Sequence, residues 1–125
     1  MILLLVATNR NNSMSLKVAT YYQTQLKTKE IDTEIMNLAD LPEDFASSAL
    51  YGNSGKNEVF NQFQTKIDSV KKIIFFVPEY NGSFPGVLKT FIDGLRYPDS
   101  FKGKKSGFGW AGRSSGQQHW FEPLE

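Results

Sequence analysis

Two uninterrupted apolar runs, Ile2-Leu3-Leu4-Leu5-Val6-Ala7 and Ile73-Ile74-Phe75-Phe76-Val77, constrain this chain more than any other feature. Both have the length of strands, and neither alternates with polar residues as a strand with one wet face must. Each is therefore expected to be a central strand of a parallel sheet covered by helices on both sides. Polar Thr8 to Ser13 breaks the first run, and Asn12 or Ser13 can cap a helix reaching about Lys27, with Leu16, Ala19 and Leu26 on one stripe. Thr33 to Leu38 mixes apolar and polar residues and suits a less buried strand near a sheet edge. Val59, Phe60, Phe63, Ile67 and Val70 recur at helical spacing, as do Val87, Leu88, Phe91, Ile92 and Leu95 after Pro85. Phe101 to Ala111 supplies a fourth strand, although Gly107 and Gly109 make it a poor one.

Alternating strands and helices imply right-handed crossovers and an α/β, three-layer sandwich. Two wholly apolar strands separated in sequence by a more polar one suit the order 2-1-3-4, with strands one and three as central neighbours. Ligands in such sheets bind beyond the carboxyl ends of the strands, where the winding reverses, which here lies between Ala7 and Val77. The stretch Ala39 to Asn57 is longer than a plain connection and is expected to form a partner surface or site rim.

A length of 125 residues leaves room for one domain, spanning 1–125 with an atypical tail from 106. A net charge of +1 gives no long-range field to attract nucleic acid. The absence of cysteine excludes disulfides, thiolate nucleophiles and cysteine-ligated metal, and fits a cytoplasmic setting. Ile2 to Ala7 has no basic leader and is too short for a signal peptide or a membrane span. His119 is the only histidine, so a histidine metal site or a hydrolytic triad would lack members.

Chemistry concentrates in two loops. The first, Thr8-Asn9-Arg10-Asn11-Asn12-Ser13-Met14-Ser15, runs into a helix whose free N–H groups and dipole attract an anion. The hydroxyls of Thr8, Ser13 and Ser15 and the Arg10 guanidinium match the acceptors of a phosphate. The same residues also suit a plain helix cap with Arg10 solvated, and the loop alone does not separate the two. It lacks the glycine patterns of dinucleotide folds and nucleoside triphosphatases. The second loop, Pro78-Glu79-Tyr80-Asn81-Gly82-Ser83-Phe84-Pro85-Gly86, leaves the other central strand and faces the same crevice. It can offer amide N–H groups to a polar ring edge, with Tyr80 or Phe84 near the ring plane, or it can be a simple strand-to-helix turn.

The string from Pro78 through Asp93, PEYNGSFPGVLKTFID, closely resembles the signature of the NADPH-dependent FMN reductase family, which includes quinone, azo-dye and chromate reductases. The family's first loop usually runs Gly-Ser-x-Arg-x-x-Ser followed by Asn or Ser; Thr8, Arg10, Ser13 and Ser15 fall on its polar positions, and Ala7 replaces the glycine. The resemblance implies a flavodoxin-like fold and bound FMN, with Thr8, Arg10, Ser13 and Ser15 on the phosphate. Pro78, Glu79, Tyr80, Asn81, Gly82 and Ser83 would contact the flavin ring and ribityl chain. It implies hydride transfer from NADPH to FMN and electron delivery to a small-molecule acceptor such as a quinone or azo compound. No catalytic acid or base and no metal is then required, because the cofactor supplies the reactive atom and Glu79 serves binding. A carrier that holds FMN without turnover, or a flavin-free form, is the alternative.

A third family loop bordering the flavin corresponds best to Gly112-Arg113-Ser114-Ser115-Gly116. The family pattern continues into a fifth strand and flanking helices for which the sequence offers no residues, so the fifth strand is expected to be missing. An uncovered sheet edge would then favour a homo-oligomer, dimer or tetramer. Phosphatases of related topology need a nucleophilic cysteine, and response-regulator receivers need acidic residues where this chain has Thr8-Asn9-Arg10, so both fit badly.

Overall fold

The computed structural model describes residues 1–110. Its strands are β1 (Ile2–Val6), β2 (Thr33–Asn37), β3 (Lys72–Val77) and β4 (Lys105–Trp110), all parallel, in the order β2-β1-β3-β4. The helices are α1 (Met14–Thr28), α2 (Phe45–Ser48), α3 (Glu58–Ser69) and α4 (Gly86–Gly94). The winding reverses between β1 and β3, as the two apolar runs require. Their register, Ile2 opposite Lys72 through Val6 opposite Phe76, brings the carboxyl ends of both central strands to one rim.

The sheet separates two apolar layers. On one side Leu4, Val6 and Phe76 pack with Ala19 and with the partly buried Leu16, Val18 and Leu26 of α1. On the other, Leu3, Leu5, Ile73 and Phe75 meet Phe60 and Ile67 of α3 and Leu88 and Phe91 of α4. Successive residues of β1 thus alternate between two dry layers, which explains why the strand has no polar positions. Each buried Leu, Ile or Phe contributes about 1.5–3 kcal/mol by leaving water, and the chain places large side chains on both sides.

The structure adds to two expectations. The stretch 39–57, expected as a partner surface or site rim, is exposed at 51–56 but also packs on the core. Leu41, Phe45, Ala49 and Leu50 are buried in the α3/α4 layer, and the Phe45 ring stacks on Phe60 at 5.9 Å. The segment is thus a cover for the core, built from α2 and two short 3-10 turns. The fourth strand is also better founded than its glycines suggest, because a Cβ at Gly109 would lie only 2.9 Å from the Phe76 ring. Glycine lets β4 approach the fully buried Phe76.

The connection from α4 to β4 is anchored by side chains. Gln64, almost fully buried, donates to Ser100 Oγ at 3.0 Å and accepts the Arg96 N–H at 2.9 Å. Arg96 also bonds Asp68 at 2.6 Å. Burial alone would raise the Asp68 carboxyl, but hydrogen bonds from Arg96 and Gln64 and the charges of Arg96 and Lys104 hold it below the ordinary carboxylate value. Lys89 and Asp93 form the exposed i,i+4 pair that their spacing implies. Among the described residues no helix is long and apolar enough to cross a membrane, and no cluster of candidate metal ligands occurs. The loop at Gly112 to Gly116, His119 and Trp120 lie outside the described residues.

Candidate functional site

The chain leaves β1 at Ala7, whose N–H still donates to Phe76 O at 2.9 Å, and the first loop begins directly beyond that bond. Thr8 is fully buried. Its Oγ1 accepts the Arg10 N–H at 3.2 Å, a local bond that folds the loop back on itself. Asn12 takes the left-handed region at φ 52°, a conformation asparagine tolerates, and so turns the chain into α1. Ser13 is the N-cap, its Oγ accepting the Leu16 N–H at 3.0 Å, while the Ser13 carbonyl takes the Lys17 N–H. Of the two candidate caps, Ser13 holds the position. Arg10 is exposed, and its guanidinium makes no ion pair among the described residues.

Ser15 differs from its neighbours. It sits in the first turn of α1 at 1% exposure, and its Oγ is a buried hydroxyl with no hydrogen-bond partner among the described residues. With Leu16 N–H claimed by the cap, Met14 and Ser15 carry the first-turn N–H groups that the helix cannot satisfy itself. An unpartnered buried hydroxyl beside free amides at the positive end of a helix suits an anion. No acidic residue occupies this first turn to fill that role internally.

The second loop is a miniature hairpin, and this is the feature that sequence reasoning missed. Tyr80 and Ser83 exchange both backbone hydrogen bonds, at 2.8 and 3.1 Å, around the two-residue tip Asn81-Gly82. Asn81 and Gly82 both have positive φ, 54° and 80°, the pattern of a tight primed turn. The Asn-Gly pair itself was the legible signal. Glu79 completes the hairpin by accepting the Gly82 N–H at 2.9 Å through Oε1. The amides of Tyr80, Gly82 and Ser83 are therefore spent within the loop, so the earlier picture of several open donors is too generous. Pro78 is buried where β3 ends, and Pro85 caps α4, whereas Asn81, Gly82, Ser83 and Phe84 stand exposed.

One bond joins the loops. Tyr80 Oη lies 2.8 Å from Thr8 Oγ1, although the residues are 72 positions apart. Thr8, Arg10, Ser13 and Ser15 from the first loop and Pro78 to Ser83 from the second thus share one rim of the sheet. The arrangement can grip an anion at the start of α1 and border a flat group beside it. A different surface, a shallow hollow of about 340 Å³ along Glu58, Asn61, Gln62, Thr65, Lys66 and Ser69 of α3, lies away from both loops and contains no comparable unpartnered group.

Comparison with known proteins bears on this rim. The family described as NADPH-dependent FMN reductase matches residues 1–122. The chain is 30% identical over 108 residues to an FMN-dependent NADPH-azoreductase of Staphylococcus aureus strain USA300, covering 84% of this chain and 56% of that protein. It therefore spans little more than half the length of that relative. Among solved structures, an NADH:FMN oxidoreductase in its apo form superposes with a TM-score of 0.72 at 20% identity, covering 89% of this chain and 57% of the other. The NAD(P)H:(acceptor) oxidoreductase FerB of Paracoccus denitrificans gives 0.66 at 24% identity, covering 87% and 59%. These structural likenesses bear on the fold, which has the parallel order 2-1-3-4 anticipated from the strand pattern and the flavodoxin-like form that the resemblance implies.

Proposed function

Because the chain belongs to the NADPH-dependent FMN reductase family, we propose that it is a flavin-dependent oxidoreductase acting on NADPH and a small quinone- or azo-type acceptor. The observation that carries this is the buried Ser15 hydroxyl in the first turn of α1, which has no partner among the described residues. It fits a phosphate, and FMN is the mononucleotide that this family's name specifies. When bound, FMN supplies the ring that accepts hydride and releases electrons.

The chain's own task is to bind and orient. Ser15 Oγ, the amides of Met14 and Ser15, and the exposed cation of Arg10 would hold the phosphate. Thr8 and Ser13 would shape the cradle, their hydroxyls being engaged with Arg10 N, Tyr80 Oη and Leu16 N. Pro78 to Ser83 would border the ring, the hairpin giving that border a fixed shape. Glu79 already accepts from Gly82 N–H, so its role is to hold the tip rather than to move a proton. A rigid border matters because hydride transfer depends on how donor and acceptor are held.

Mixing the purified chain with FMN, NADPH and a quinone or azo dye tests the proposal. NADPH absorbance should fall by many equivalents per chain only when FMN and an acceptor are both present, and by about one equivalent of the FMN without an acceptor. Saturable FMN binding without NADPH consumption would make the chain a carrier instead and would overturn the assignment. We place the protein in the cytoplasm, a setting that the lack of cysteine suits. A homo-oligomer belongs to the same proposal, since Phe84 and Tyr97 are large side chains at 46% and 95% exposure. Sedimentation should show a mass above one chain, and a strictly monomeric species at micromolar concentration would refute this part.

A further inference from the structure

We infer that Tyr80 is a positioning residue whose hydroxyl, bonded to Thr8 Oγ1, latches the ring-side hairpin to the phosphate-side loop, so that phosphate recognition depends on the hairpin being in place. The inference rests on the reading of the first loop as the phosphate site, and it concerns what neither loop can do alone.

Thr8 Oγ1 has one proton and two lone pairs. One lone pair takes the Arg10 N–H at 3.2 Å, and the remaining capacity meets Tyr80 Oη at 2.8 Å. Thr8 is fully buried, so with Tyr80 removed its hydroxyl could not simply turn to bulk water. The other end of the bond is held just as firmly. Tyr80 is paired in both backbone directions with Ser83, and the tip beyond it is closed by Glu79 on Gly82 N–H. Hydrogen bonds joined by short covalent links thus run from Glu79 to Gly82, from Ser83 to Tyr80, across to Thr8, and on to the backbone of Arg10. Arg10 carries the guanidinium, and Ser13 and Ser15 follow in the same loop. The Tyr80 hydroxyl already meets Thr8 Oγ1, a role distinct from that of its own aromatic face.

Comparing FMN with riboflavin, which has the ring and ribityl chain without the phosphate, provides the test. Fluorescence titrations would use the wild-type chain, Tyr80→Phe, Thr8→Val, Thr8→Ser and the Tyr80→Phe/Thr8→Val double variant. Tyr80→Phe keeps the ring and removes only the latch, and should weaken FMN about five- to twentyfold while moving riboflavin by less than about twofold. The double variant should bind FMN no more weakly than Thr8→Val alone, the non-additivity expected when two changes break one bond. Thr8→Ser retains Oγ and should stay near wild type.

Unchanged FMN affinity in Tyr80→Phe would overturn the latch, as would equal losses for both flavins or additive losses in the double variant. If Thr8→Val does not fold, Tyr80→Phe with the two flavins decides alone. A wild-type preference for FMN that survives Tyr80→Phe leaves the phosphate site standing and removes the latch. A wild type with no preference between the flavins removes both.

Discussion

Ser15→Ala should weaken FMN binding by about 1.5–3 kcal/mol, roughly 10- to 150-fold, while leaving the unliganded protein as stable as before or slightly more so. The opposite signs follow from the burial of a hydroxyl with nothing to bond. Without ligand, Ser15 Oγ is at 1% exposure and has no partner among the described residues, so it bears the cost of lost hydration. Alanine removes that cost and is the better helix former within α1. With FMN present, the same hydroxyl would donate to a phosphate oxygen, and bonds to charged acceptors are the stronger kind. Thermal melts with and without ligand, paired with titrations of FMN and riboflavin, separate the two effects. A Ser15→Ala protein destabilised by more than about 1 kcal/mol without ligand would mean the hydroxyl serves the fold, contrary to this account.

The largest loss of stability is expected at Phe76. Phe76→Ala should cost about 3–5 kcal/mol, a large fraction of the roughly 5–15 kcal/mol by which a domain is stable. Phe76 is fully buried in the layer beneath α1, meets Tyr22 edge-on at 5.6 Å, and fills the space that Gly109 leaves open in β4. Truncation would therefore open a cavity between α1 and two strands, and β4 has no side chain at Gly109 with which to fill it. Because the Phe76 carbonyl accepts from Ala7 N–H at the start of the first loop, flavin binding should be lost in the same urea transition as the fold. Urea unfolding would show the loss as a lower midpoint with an unchanged slope. Met14→Ala, at a side chain 60% exposed, should fall within about 0.5 kcal/mol of wild type. Similar midpoints for the two variants would contradict the packing described for the α1 layer.

How much of this is legible in the sequence depends on whether the controlling interaction is local. The runs Ile2–Ala7 and Ile73–Val77 announced two doubly covered strands, and from them the order β2-β1-β3-β4 and the position of the rim followed. A cap at Asn12 or Ser13, which the structure resolves to Ser13, and the helical stripe of α3 are equally local features. Gly109 misled because a glycine in a strand reads as weakness, and its reason, the Phe76 ring, lies on the neighbouring strand 33 positions earlier. Leu41, Phe45, Ala49 and Leu50 have no single period, so their burial depended on α3 and α4 being there to receive them. The Asn81-Gly82 hairpin has a local signal in the Asn-Gly pair itself. The Thr8–Tyr80 bond had no local signal at all.

The central claim is that the start of α1 is built to recognise a phosphate carried by a flavin. Parallel titration of the purified chain with FMN and riboflavin measures this directly, since the two ligands differ only in that group. The account predicts that FMN binds at least about tenfold more tightly, as one or more charge-assisted hydrogen bonds would give, and that added inorganic phosphate erodes that advantage. Equal affinity for the two flavins, or an advantage indifferent to phosphate, would contradict it.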